Sequence, residues 1–388
     1  MLAWRNALLV VFAVCGISLG GWMARMPAIK QALGVDTAQT GLLISALAIG
    51  SVIGLAFAGP LVGRFGSRSV ISVTIVGIGA GLLLAGVGAT LDPNFWVTYA
   101  GFLLFGAALG MCDVAMNVSG ALNERALGKT FMPVLHAFFS IGALVGAGVG
   151  ALTEFLAAPL LVHAAVLTAA ILLPGALVVR NLQSEDHGAA RSTAAKVSPR
   201  EIWGDPRTYF IGLIVLGMAL AEGSATDWLS LAMVDGHGTD NTTGALVFAL
   251  FMSAMTVGRL VGGGLIDRYG RVPALQVSAA LSAIGLAIFI FVPDTLIAII
   301  GVVLWGLGTS LGFPTGMSAA ADDPRTASAR VSAVALIGYC AYLVGPPALG
   351  FLGEQIGILL ALTLVLGFIV VSGLASPAAR ERRNTRPR

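Results

Sequence analysis

Charge is scarce in this chain. Charged residues make up 11% of its 388 positions, less than half the roughly 25% of an ordinary soluble domain, so no polar coat exists for a water-soluble globule. The three cysteines and the few histidines never pair at metal-site spacing, so neither a metal nor a disulfide framework is expected. There is no Gly-x-x-x-x-Gly-Lys-Ser/Thr loop and no soluble stretch to house ATP hydrolysis, which argues against an ATP-driven pump. A soluble catalytic domain is missing too, so an enzyme is not expected, and neither a cofactor nor a nucleic-acid partner is implied. The short alternating segments of a membrane β-barrel are absent as well.

What remains is apolar. Hydrophobic residues reach 57%, in runs of about 20 residues, long enough to cross a hydrocarbon core roughly 30 Å thick. Inside lipid every backbone polar group must be satisfied within the segment, so these runs are helices. Twelve spans are expected near 7–32, 38–62, 69–90, 95–122, 131–156, 159–179, 208–233, 241–266, 273–292, 295–319, 327–352 and 357–375. The 51 glycines suit helices that approach closely in lipid; Gly142, Gly146 and Gly150 form one such stripe. Cys15, Cys112 and Cys340 all fall inside spans and read as buried thiols. The first span runs on through Trp22 and Met26 with no cleavage site, so it is no signal peptide.

Six spans precede a polar stretch at 181–207 and six follow it, giving bundles at 1–180 and 208–376, with a flexible linker between them and a basic tail at 377–388. Arg5, Arg64, Arg68, Arg125, Lys129, Arg180, Arg191, Lys196, Arg200, Arg207, Arg268, Arg271, Arg325, Arg330 and the tail arginines all fall on one side. The positive-inside rule puts that side, with both termini, in the cytoplasm of a cell inner membrane.

The two halves repeat each other. Gly263-Gly264-Leu265-Ile266-Asp267-Arg268-Tyr269-Gly270-Arg271 has a twin 204 positions upstream at Gly59-Pro60-Leu61-Val62-Gly63-Arg64-Phe65-Gly66-Ser67, with Gly63 in place of the acid. Positions 40–68 align with 243–272 at nearly that offset, as Thr40-Gly41 against Thr243-Gly244. A duplicated membrane bundle is the usual architecture of a transporter.

Through Gly263, Leu265, Asp267, Arg268, Gly270 and Arg271 the chain resembles the major facilitator superfamily, whose loop motif reads Gly-x-Leu-x-Asp-Arg-x-Gly-Arg-Lys. The first copy keeps Gly59, Leu61, Arg64, Gly66 and Arg68. A narrower likeness rests on Asp113-Val114-Ala115-Met116-Asn117, His136 with Ser140 and Gly142, Glu222-Gly223, Asp227-Trp228, Gly338-Tyr339 and Gly345-Pro346-Pro347. It is similar to bacterial permeases related to sugar/proton symporters such as fucose permease. The resemblance implies an all-α membrane protein of twelve helices in two pseudo-symmetric bundles, with spans 1, 4, 7 and 10 lining a central cavity.

An ionised side chain at the bilayer centre costs at least roughly 2.5–3.5 kcal/mol on insertion scales, so each one calls for a reason. Glu222 stands near the middle of span 7 and is the first candidate for proton coupling, with a hydrogen-bonded structural carboxylate as the alternative. Asp227 lies two turns on and matches Arg25 in depth; an Arg25–Asp227 pair is expected, as a gate or a strut. Asp113 and Asn117 share a face of span 4, and a contact of Asp113 with His136 is expected, carrying protons or fixing spans 4 and 5 together. Ser18, Trp22 and Arg25 share a face of span 1, where Trp22 is a stacking surface for a solute or an interfacial anchor. Tyr339 is a further cavity candidate. Arg64, Arg68, Arg259, Asp267, Arg268 and Arg271 form an expected conformational latch, heavier in the second half because Gly63 has lost the acid. The prolines at Gly312-Phe313-Pro314 and Gly345-Pro346-Pro347 are expected to interrupt spans 10 and 11.

The functional expectation is a secondary transporter of a small polar solute, working as a monomer by alternating access and coupled to protons. A proton-driven exporter of drugs or metabolites, or a non-transporting sensor with the same fold, are the alternatives. Aromatic content of 7% leans towards a polar cavity and uptake.

Overall fold

In the computed structural model, residues 1–128, 131–183, 199–323 and 325–380 are described. The chain runs through α1 (Leu2–Met23), α2 (Met26–Leu33), α3 (Thr37–Thr90), α4 (Phe95–Leu127), α5 (Met132–Phe155), α6 (Leu160–Val179), α7 (Pro199–Trp203) and α8 (Pro206–Leu231). It continues through α9 (Asn241–Tyr269), α10 (Arg271–Phe291), α11 (Thr295–Thr309), α12 (Gly312–Ala320), α13 (Ala327–Ile356), α14 (Ile358–Ala361) and α15 (Thr363–Ala375). No strand occurs among the described residues. Among the described residues, eleven stretches are long and apolar enough to cross a membrane, and one of them, α3 with 54 residues, breaks at Gly66, which makes twelve spans there.

The repeat is legible in the joints. Gly66 (φ 78°) turns span 2 into span 3, and Gly270 (φ 83°), 204 positions on, separates α9 from α10. Gly34 (φ 61°) and Gly238 (φ 68°), the same distance apart, close the preceding helices. A side chain at such φ would press its Cβ on the neighbouring carbonyl, so glycine occupies these positions in both halves. The caps repeat as well. Asp36 accepts the Gln39 N–H at 2.6 Å and opens α3; its twin Asp240 accepts the Thr243 N–H at 2.8 Å and opens α9. That N–H, and then the Thr243 hydroxyl, hold the Asp240 carboxyl below its ordinary pKa. Asn94 and Asp294 cap α4 and α11 in the same way, through the N–H groups of Val97 and Ile297.

Lipid is as apolar as leucine, so these helices associate by close packing rather than by hydrophobic drive. Gly142 and Gly146 of α5 sit so near Ala13 and Ile17 of α1 that an added Cβ would collide with those carbonyl oxygens. Gly106 and Gly110 of α4 meet Leu47 and Ser51 of α3 in the same manner.

By contacts the chain forms two compact units, Met1–Arg191 with Asp227–Met252, and Ser192–Thr226 with Ser253–Arg388. The second part of α8 and the start of α9 belong to the first unit because side chains tie them there. The Ser230 hydroxyl donates to the Met23 carbonyl, Lys30 pairs with Asp235, and the Asn241 amide donates to Gln31 and to Glu154. In the second unit, Ile211, Ile214, Val215, Leu275 and Val334 build a core with Ala319, Ala320 and Ala379.

Several expectations change. Span 10 does break before Phe313, between α11 and α12, whereas α13 continues unbroken through Pro346 and Pro347. The stretch expected to be a flexible linker holds α7, whose Ile202 is buried and accepts the Thr208 hydroxyl through its carbonyl. Cys340 is exposed rather than buried; Cys15 and Cys112 are buried with their sulfurs 3.7 Å apart. Lys129, Arg191, Lys196 and the tail arginines beyond Arg380 lie outside the described residues.

Candidate functional site

The polar groups of the spans gather in separate clusters. In the second unit, α8 presents Glu222 and α9 presents Arg259, and their charged atoms meet at 2.8 Å. Glu222 lies near the middle of the Pro206–Gly236 stretch, far from either helix end. Neither side chain is sealed: Glu222 is 20% and Arg259 32% exposed. The Tyr342 ring of α13 packs against the Gly223 backbone, 3.1 Å from where a Cβ would stand, next to Glu222. Tyr339, exposed and one turn earlier, has its ring centre 6.5 Å from that of Tyr342. Arg259, placed in the latch from sequence, is thus a partner of the mid-span carboxylate.

In the first unit, Asp113 and His136 do not touch directly in the hydrogen bonds described; Asn117 stands between them. Its amide donates to Asp113 Oδ1 at 3.1 Å and to the Asp113 carbonyl at 2.8 Å. Its Oδ1 lies 3.2 Å from His136 Nε2, which requires that nitrogen to carry a proton. An amide can accept from the histidine and donate to the carboxylate at once, so this bridge orders spans 4 and 5 without pairing charges. The edge of Phe12 meets the His136 ring at 5.3 Å.

The expected Arg25–Asp227 pair is replaced by another. Arg25 Nε meets Glu154 Oε2 at 2.5 Å, and its Nη2 donates to the Ala158 carbonyl at 2.9 Å. Glu154 is the one carboxylate of span 5, which is the signal that sequence reasoning passed over. Asp227 is buried with no ionic partner among the described residues. Trp22 is fully buried, stacked on His163 at 5.8 Å and edge-on to Phe102, so it packs within the bundle and not at an interface. Ser18 is buried too and returns its hydroxyl to the Cys15 carbonyl.

The latch candidates divide. Arg271 pairs with Asp322 at 2.5 Å and reaches the Ser318 hydroxyl at 3.1 Å. The same Asp322 holds Arg207 at 2.8 Å, and Arg207 donates to the Ala378 and Arg380 carbonyls. Arg330, almost wholly buried, pairs with Asp205 at 2.7 Å. These ties bind the N-terminal ends of α8, α10 and α13 into one cluster. Asp267 and Arg268 are exposed, with Arg268 over the Tyr269 ring. Arg64 lies over Phe65, and neither it nor Arg68 meets a carboxylate among the described residues. Asp322 and Asp205 were missed from sequence because nothing in their loops marks them as partners of arginines 51 to 125 positions away.

No group of three metal-ligating side chains occurs among the described residues. The geometry supports charge neutralisation, proton exchange at a carboxylate, and hydrogen bonding to a polar solute.

Comparison with known proteins agrees with this architecture. The family model of the Major Facilitator Superfamily matches residues 8–340, and again 228–388. An uncharacterized MFS-type transporter of Yersinia pestis is 33% identical over 387 residues, covering 97% of this chain and 94% of that protein. The crystal structure of the nucleoside transporter NupG superposes with a TM-score of 0.74 at 17% identity, over 97% of this chain and 98% of that one. The Escherichia coli fucose:proton symporter superposes with a TM-score of 0.65 at 18% identity, over 97% and 98%. These likenesses at low identity concern the fold. The chain is a multi-pass membrane transporter and belongs to the Major Facilitator Superfamily.

Proposed function

We propose that this transporter couples the movement of a small polar solute to protons by alternating access, with Glu222 as the residue that takes up and gives off the proton. The observation that carries the reading is the Glu222–Arg259 pair in mid-span, partly exposed and beside Tyr342. The arginine gives the mid-span carboxylate a counter-charge within its own bundle, and the partial exposure of both leaves them open to exchange with a solute. Asp227, Asp113 and His136 are the remaining titratable candidates; Asn117 and Tyr339 are candidate contacts for the solute. The cluster around Asp322 serves as the inner latch, with Arg271 its working residue among those named from sequence. The arginine distribution supports an inner-membrane location with both termini in the cytoplasm, and the protein is read as a working monomer. That the fucose:proton symporter shares the fold is in keeping with proton coupling, though it bears on the fold alone.

The test begins with a metabolite screen by thermal shift on purified protein. Reconstituted vesicles then follow: the solute that stabilises the protein is expected to move protons across the membrane with it, and to stop doing so in Glu222→Gln. Solute uptake unaffected by a pH gradient in the wild type would sink the coupling reading.

A further inference from the structure

The repeat offset, Gly59 to Gly263, is 204 positions. Residues equivalent under a pseudo-twofold axis lie apart by twice their distance from it, so they can touch only beside the axis. In transporters with two parallel halves that axis runs along the membrane normal, and the solute site lies where the halves meet around it. Three contacts join residues that are nearly equivalent. The Ser230 hydroxyl donates to the Met23 carbonyl at 3.2 Å, across 207 positions. Lys30 pairs with Asp235 across 205, and Gln31 meets Asn241 across 210. All six residues belong to the first compact unit. These contacts therefore lie beside the axis, where the solute path runs.

Their chemistry is that of a clasp. The amides of Gln31 and Asn241 bond reciprocally: Gln31 Nε2 donates to Asn241 Oδ1 at 3.2 Å, and Asn241 Nδ2 donates to Gln31 Oε1 at 2.9 Å. The same Asn241 nitrogen reaches Glu154 Oε1 at 3.2 Å, while the other Glu154 oxygen holds Arg25. Asn241 thus ties the start of α9 to α2 and to the end of α5 at once. Lys30 adds a bond to the Thr37 hydroxyl at 3.2 Å. The groups are not sealed: Lys30 is 18%, Asp235 32% and Glu154 15% exposed. Water can replace each of these bonds as the groups part, so separation costs far less than baring an apolar seam. A seam bonded in this way is specific when shut and easily opened.

We infer that Lys30, Asp235, Gln31, Asn241 and Glu154 form a clasp across the solute path, at the end where α1 and α8 finish, and that Asn241 is the positioning residue on which its closure turns. In the orientation given by the arginines this end is the outer face. The bonded clasp holds that end shut in this structure, and it parts whenever solute is exchanged with the outside. The inference goes beyond the proposed coupling and depends neither on Glu222 nor on the identity of the solute.

The experiment labels the full chain in intact cells with a membrane-impermeant maleimide. Cys340→Ala serves as parent, because Cys340 is exposed whereas Cys15 and Cys112 are buried. Met23→Cys is the reporter: its side chain is fully buried, and the carbonyl that Ser230 uses stays in place. Slow labelling is expected with the clasp intact. Asn241→Ala and Asp235→Lys, the latter setting two ammonium groups face to face, are each expected to speed it about ten-fold, the size of a lost hydrogen bond to a charged group. Lys30→Asp combined with Asp235→Lys rebuilds the pair in reverse and should return the rate to within about three-fold of the intact clasp. Melting temperatures of the purified variants separate opening from unfolding, and Ser230→Cys, on the other side of the same contact, is the second reporter should Met23→Cys fail to fold. Labelling unchanged by Asn241→Ala and Asp235→Lys, or as fast in the charge swap as in Asp235→Lys, overturns the clasp. Labelling from inverted vesicles alone overturns its outer placement. Loss of proton movement in Glu222→Gln bears on the coupling reading and leaves these rates as they are.

Discussion

Asp36 and Asp240 open equivalent helices with the same cap, and Gly66 and Gly270 make the same turn, yet the charges of the two halves are arranged differently. In the first half the buried pair is Arg25 with Glu154, at the C-terminal ends of α1 and α5. In the second half the pairs collect at the N-terminal ends of α8, α10 and α13, where Asp322 serves two arginines and Asp205 a third. Glu124 stands at the end of α4 much as Asp322 stands after α12, but its carboxylate accepts the N–H groups of Phe131 and Met132 at 2.6 and 2.8 Å instead of an arginine. The mid-span groups diverge in the same way: an amide bridge between Asp113 and His136 in one half, an ion pair in the other. Duplication preserved backbone joints, which any helix pair of this kind needs. The charges were free to differ.

Mutations can break that comparison, beginning with the largest effect. Asp322→Ala strands two partly buried arginines and is expected to cost about 3–5 kcal/mol, read as a fall in thermal stability of the purified protein. A loss near zero would mean that the cluster in the second half is decorative. Glu154→Gln leaves the buried Arg25 without its counter-charge and should cost about 3 kcal/mol in the same assay, despite the absence of any partner from the symmetric position. Gly66→Ala and Gly270→Ala should each cost about 1–2 kcal/mol, because both force a Cβ into left-handed backbone. Equal losses support equivalent turns; a large inequality would show that the repeat is only nominal there. Glu124→Ala is expected to lower thermal stability much less than Asp322→Ala, because it removes only an acceptor for two backbone N–H groups. Asp113→Asn keeps the bridge to Asn117 and should shift stability by only about 0.5 kcal/mol.

Much of the fold was legible in sequence, because spans, glycine turns and caps are local. The offset between Gly59 and Gly263 extends to Gly34 and Gly238 and to both capping aspartates. Mid-span charges announced themselves by their rarity, so Glu222, Arg259, Asp113 and Arg25 were all singled out. Which of them pair was not. Depth along a helix can be counted from sequence, but azimuth and neighbouring helix cannot, so Arg25 was matched to Asp227 at equal depth when Glu154 faces it. Trp22 illustrates the same limit: the sequence spacing sets it on one face with Ser18 and Arg25, but α1 ends at Met23 before Arg25, and Trp22 turns into the bundle and packs on His163. Prolines misled in one direction, since α13 absorbs Pro346 and Pro347 without a break.

The account turns on Glu222 acting as the proton carrier through its pair with Arg259. Solute-driven proton movement in vesicles, wild type against Glu222→Gln, tests it most directly. The wild type should move protons with its solute, and Glu222→Gln should exchange the same solute across the membrane while moving none. Proton movement in Glu222→Gln at the wild-type rate would contradict the account.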